Sequence, residues 1–227
     1  MPNRKLLILF SVFVLSACSS AAPTPTSIPP ASPATPIIAQ SADYKGIPQS
    51  VTPEGYLVLG SAQTSLTDYS DFMCSSCYNF VTSTEPILIE NYVRSGKVRL
   101  VFRPILDFGE RSTRASEAAV CAARAGQGWQ MHDMLYAKQG ELGNTGEDKL
   151  GDLMLTYGKT LVGMDQAKFA ACIQSREALK AVQDADADRR KNNIVARPSF
   201  EISGQRFSGA QPIETFAAYI DAALKQP

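Results

Sequence analysis

Histidine and tryptophan are almost missing from this chain of 227 residues, which has one of each, His132 and Trp129, and only five cysteines. A zinc site needs four ligands, usually from two paired motifs, and here one close pair, Cys74 and Cys77, is accompanied only by the widely spaced Cys121, Cys172 and His132. Metal is therefore not expected. Covalent haem attachment needs histidine directly after the second cysteine of a CxxC, and Tyr78 stands there. An excess of positive charge is missing too: Lys+Arg and Asp+Glu are both 22, and loss of the first 17 residues removes Arg4 and Lys5 and leaves 20 against 22. A net charge near −2 gives nucleic acid no attraction. Beyond the N-terminus no run is long and apolar enough to cross a bilayer.

The N-terminus itself is informative. Arg4 and Lys5 precede the apolar stretch Leu6 to Leu15, which is too short to span a membrane in a mature protein and reads as a signal peptide over residues 1–17. Its end, Leu15-Ser16-Ala17-Cys18, resembles the bacterial lipobox, which implies that Cys18 becomes the lipidated first residue and holds the protein to a membrane outside the cytoplasm. The segment that follows, to about residue 44, is rich in Pro, Ser, Thr and Ala and carries no charge between Ala21 and Pro36. Such a composition cannot bury a core and should form an extended tether. At about 3.1 Å per residue, some twenty residues reach roughly 60 Å. Residues 45–227 are then one domain, long enough for a real core.

Within that domain, Tyr56 to Leu59, Ser65 to Phe72 and Val98 to Phe102 read as strands. A helix after Cys74 should break near Pro86, resume to Tyr92 and close at Gly96. From Gly109 to Asn193 the periodicity is helical: Leu150, Leu153, Met154 and Tyr157 form one stripe, and Phe169, Cys172 and Ile173 another behind a cap at Asp165. Ser199 to Ile202 alternates as a strand, Gly204 turns the chain, Gln205 to Phe207 returns, and Pro212 to Leu224 is an amphipathic helix. The order is βαβ, a helical insertion at about residues 105–193, then ββα: an α/β fold.

Cys74-Ser75-Ser76-Cys77 lies at the junction of a strand and a helix. At a helix start, unpaired backbone N–H groups and the positive dipole end favour a thiolate on the first sulfur, and the second is within disulfide reach. A reactive dithiol is expected, with a structural bridge as the alternative.

Together with that motif, Tyr69 to Cys77, the segment Ala115 to Ala123 leading to Trp129-Gln130-Met131-His132-Asp133, and Val195-Ala196-Arg197-Pro198-Ser199-Phe200 resemble the DsbA-like thiol-disulfide oxidoreductases, over about residues 50 to 225. The resemblance implies a four-stranded thioredoxin sheet with a helical domain between its second and third strands. It implies that Pro198 is a cis-proline facing the redox pair, where the preceding backbone can pair with an extended substrate. Asp68 matches a buried acid beneath the active site that takes a proton from Cys77. Asp71 is expected at the rim of the motif. Ala196-Arg197 departs from the frequent Gly-Thr pair; an Arg197 charge near Cys74 would stabilise its thiolate, whereas one turned to solvent would select acidic substrates. His132, the only histidine available to a copper-binding relative, is expected at the lip of the insertion. Cys121 and Cys172 lie on apolar stripes and could be free thiols, but an oxidising compartment favours a bridge, as in relatives with a second cysteine pair.

These readings combine into a membrane-anchored, extracytoplasmic oxidoreductase without a cofactor that oxidises cysteine pairs of exported proteins. The resemblance implies reoxidation by a quinone-linked partner of DsbB or vitamin K epoxide reductase type. A reductase or isomerase, and a redox-inert binding module with a structural CxxC, are the alternatives.

Overall fold

The computed structural model describes residues 43–225, so the expected signal peptide, Cys18 and all but the end of the expected tether lie outside the described residues. Among the described residues no helix is long and apolar enough to cross a membrane. A six-stranded sheet has the order β1-β2-β4-β3-β5-β6. Its strands are β1 (Gln49–Val51), β2 (Leu57–Leu59), β3 (Ser65–Ser70), β4 (Arg99–Pro104), β5 (Ser199–Ile202) and β6 (Gln205–Ser208). The parallel pair β3 and β4 is joined by the helical crossover α1 (Ser75–Ser83), α2 (Glu85–Leu88) and a π turn at Ile89–Val93, whereas β5 and β6 form an antiparallel hairpin. These four strands are the expected thioredoxin sheet. The short hairpin of β1 and β2 enlarges it by pairing antiparallel with β4.

The crossover breaks where expected: α1 stops at Thr84, and Pro86 sits in the first turn of α2, where a missing N–H costs nothing. Between β4 and β5 run α3 (Glu110–Arg124), α4 (Gly128–Ala137), α5 (Gln139–Asn144), α6 (Leu150–Thr160), α7 (Gln166–Ser175) and α8 (Leu179–Lys191). Asp165 caps α7 by accepting from the Lys168 N–H at 3.0 Å. The bridge Cys121–Cys172 ties α3 to α7, with Cα atoms 5.7 Å apart.

One face of the sheet carries an aromatic core. Phe80 of α1 lies 4.7 Å from Phe200 of β5 and 5.3 Å from Phe216 of the final helix α9 (Ile213–Leu224), measured between ring centroids. Near the other edge, α3 and α4 pack against β1 and β2. This is a thioredoxin-like α/β architecture with a helical insertion.

Candidate active site

The strand alternation of β3 sends Leu66, Asp68 and Ser70 to the face that carries α1, and the chain then turns through Asp71, Phe72 and Met73 into Cys74. Cys74 is the N-cap of α1: its backbone is extended, and its Sγ accepts from the Cys77 N–H at 3.4 Å. On the opposite side the Cys74 thiol faces the Arg197 carbonyl at 3.9 Å, and the Arg197–Pro198 peptide bond is cis. Cys74, Cys77 and the Arg197-Pro198 pair therefore converge from the start of α1 and the start of β5.

The two sulfurs differ in environment. Cys74 is 7% exposed and Cys77 is fully buried. The Cys77 thiol and the N–H groups of Cys77 and Ser76 favour the Cys74 thiolate against the cost of its burial, and Arg197 adds the weakest influence, so that the Cys74 pKa falls to about 6. Burial, with the Cys74 sulfur and Asp68 nearby, pushes the Cys77 thiol far upward. One sulfur is a ready nucleophile at neutral pH; the other holds its proton.

Asp68 lies between Phe102 of β4 and Phe200 of β5 in the sheet register. Flanked by those rings and 1% exposed, its carboxyl is pushed up to about 7 by burial, although the Ser70 hydroxyl donates to it at 2.5 Å. Such a group exchanges protons near neutral pH.

Three placements differ from those the sequence suggested. Asp71 is not at the rim: it is fully buried and accepts from the N–H groups of Met73 and Asp107, each at 2.8 Å, and from the Ser112 hydroxyl at 2.7 Å. It fixes the active-site turn to the base of the insertion. His132 is not at a lip either: it is fully buried, with Trp129, Tyr136, Phe72 and Phe102 packed around its ring. Arg197 neither hangs over Cys74 nor points freely to solvent. Its Nη1 pairs with Asp107 at 2.6 Å and its guanidinium stacks on Phe108. Asp107 also receives Arg190 at 3.0 Å and Arg189.

Sequence reasoning passed over Gln139. From the first turn of α5 its side-chain amide donates to the carbonyls of Phe72 and Cys74 at 2.8 and 3.1 Å, so the insertion braces the motif. A polar residue after a helix end gives no sign of such a contact. Asp107, in the loop after β4, and Ser112, in the first turn of α3, were missed because nothing in their neighbourhoods marks a contact with Asp71.

The comparisons with known proteins agree with this geometry. The family model described as thioredoxin matches residues 54–222. The chain is 32% identical over 166 residues to the Na(+)/H(+) antiporter NhaA 3 of Salinispora tropica, and spans 72% of this chain but 24% of that protein. It is 27% identical to the probable disulfide bond formation protein D of Bacillus anthracis, over 73% of this chain and 76% of the relative. Among solved structures, BdbD of Bacillus subtilis superposes with a TM-score of 0.67 at 19% identity, covering 78% of this chain and 97% of that one. MdbA, a thiol-disulfide oxidoreductase of Corynebacterium diphtheriae, does so with a TM-score of 0.59 at 21% identity, over 78% and 93%. The family-model match over residues 54–222, together with the CxxC at the start of α1, the convergence of Cys74 with the cis Arg197-Pro198 bond, the sheet order and the helical insertion, places the chain in the thioredoxin family.

Proposed function

We propose that this protein is a lipid-anchored oxidase of cysteine pairs in exported proteins, working outside the cytoplasm, with Cys74 as the exchanging sulfur and Cys77 as the resolving one. The observation that carries the direction is the thiolate of Cys74, held near pKa 6 at the N-cap of α1. A stabilised thiolate favours the reduced form of the pair and so makes the disulfide form a stronger oxidant.

In the forward reaction a client thiolate attacks Cys74 of the Cys74–Cys77 disulfide. The Sγ–Sγ bond breaks, a mixed disulfide with Cys74 forms, and Cys77 leaves as a thiolate that takes a proton. Asp68, buried beneath with a pKa of about 7, is placed to hand over that proton and recover one through solvent exchange. The second client thiolate then attacks the client sulfur of the mixed disulfide and expels Cys74 as its stabilised thiolate. Two electrons pass from the client to the enzyme, and the client gains one disulfide. The backbone of Arg197, whose carbonyl faces Cys74 beside cis-Pro198, is where an extended client segment would pair, as an added strand would. A quinone-linked membrane partner of DsbB or vitamin K epoxide reductase type would remove the two electrons.

Equilibration of the pair in glutathione buffers tests the direction. The oxidase reading requires a potential well above that of thioredoxin, roughly −270 mV. A value near it would make the protein a reductase.

A further inference from the structure

Away from Cys74, a cavity of about 470 Å³ opens beside α2 and α4 and is lined by Tyr44, Glu85, Asp133 and Tyr136. Behind it, Glu85 of α2 and His132 and Asp133 of α4 each present a donor atom, and the three atoms lie within 4.8 Å of one another. Glu85 is 2% exposed and His132 fully buried. Glu85 Oε2, His132 Nε2 and Asp133 Oδ2 are buried without a hydrogen-bond partner. Tyr44 donates its hydroxyl to the other Asp133 oxygen at 2.7 Å. Among the described residues, no lysine or arginine forms an ion pair with Glu85 or Asp133.

A buried carboxylate, Glu85, beside a half-buried one, Asp133, is costly without a cation, and a divalent ion would neutralise both. We propose that Glu85, His132 and Asp133 form a site for a divalent first-row transition ion of the zinc type, whose open position faces the cavity. One imidazole and two carboxylates suit zinc better than calcium or magnesium, which prefer all-oxygen shells. The bound ion would clamp the insertion, through α4, onto the crossover that follows the redox helix. The paired cysteines take no part. The site escapes notice in the sequence because Glu85 and His132 are far apart in the chain and meet only in the fold.

The test uses the full chain with Cys18→Ser, Cys74→Ser and Cys77→Ser, so that no free thiol binds metal. Zinc chloride is added, the protein is dialysed, and metal content is measured. The expected result is one zinc per chain, with binding weaker by about tenfold or more in Glu85→Gln and in Asp133→Asn. His132 is the single histidine, so its imidazole nitrogen resonances report on the site without a further substitution. They should shift on zinc addition, and the thermal midpoint should rise with zinc in the parent but not in Glu85→Gln. Zinc lost on dialysis, unmoved imidazole signals, or equal retention by both variants would overturn the proposal. None of these readouts involves thiol exchange, so the metal site and the oxidase reading fail separately.

Discussion

Replacing Cys77 by alanine should weaken the Cys74 thiolate, and replacing Arg197 by threonine should leave it almost unchanged. The Cys74 pKa lies at about 6 against an ordinary value of 9.0, a stabilisation of about 4 kcal/mol at 1.36 kcal/mol per unit. The Cys77 thiol is the strongest contributor, two backbone N–H groups follow, and Arg197 comes last because its charge is engaged by Asp107. A hydrogen bond to a charged group contributes roughly 1.5–3 kcal/mol, and a thiol is a weak donor, so its loss should raise the pKa by about one unit. The thiolate fraction at pH 6 then falls from about one half to about one tenth, and the alkylation rate about fivefold. The assay is the pH dependence of iodoacetamide alkylation in reduced protein carrying Cys18→Ser. Cys77→Ala leaves Cys74 as its one free thiol, and Arg197→Thr is compared by mapping the labelled residue. An unshifted profile in Cys77→Ala, or a larger shift in Arg197→Thr, would refute this assignment. The same thiolate sets a pH dependence. Because the folded pKa is depressed, the stabilisation of the reduced fold is complete above the unfolded value of about 9 and disappears as pH falls through 6. At pH 7 it is worth about 1.4 kcal/mol, or about 30 mV in the potential.

The bridge Cys121–Cys172 spans 51 residues, so its removal by paired serine substitutions should cost about 4 kcal/mol and lower the thermal midpoint by on the order of 10 °C, with thiol exchange retained below that temperature. An unchanged midpoint in calorimetry would contradict the stapling role. Asp68 has a raised folded pKa, so its ionisation opposes folding progressively from pH 4 and fully above about pH 7. Asp68→Asn should therefore gain several degrees at pH 8 and nothing at pH 4, while the mixed disulfide trapped in quenched-flow samples forms more slowly because Cys77 leaves without a proton donor; equal midpoint shifts at both pH values would count against burial as the cause. If Cys18 carries the proposed lipid anchor, Cys18→Ser should release the protein from the membrane fraction, and continued sedimentation with membranes would overturn that proposal.

Much of the fold was legible because its signals are local. Val98 to Phe102 is a short run rich in β-branched and aromatic residues, and Ser199-Phe200-Glu201-Ile202 alternates. The thin signals failed: Gln49–Val51 has three residues and no alternation, and became a strand only because β2 offers it an edge. At the site, the CxxC and Pro198 were readable as residue types, but their braces were not. Asp71, Asp107 and Gln139 act through loop carbonyls and N–H groups whose positions depend on the finished insertion. His132 was misplaced although the signal existed. It lies three residues after Trp129 and four before Tyr136, on the buried stripe of α4.

The central strand β3 pairs with β4 on one side and with β5 on the other, yet residues 105–198 intervene between those two neighbours. A nascent chain must close that long loop before the middle of the sheet exists, and the search is slow because the reward comes late. Linking Cys121 to Cys172 roughly halves the free length of the loop and lowers its closure entropy by about 0.6 kcal/mol. A chain whose CxxC would exchange disulfides with others thus completes its own sheet faster once a bond of the same kind has been made between its own helices.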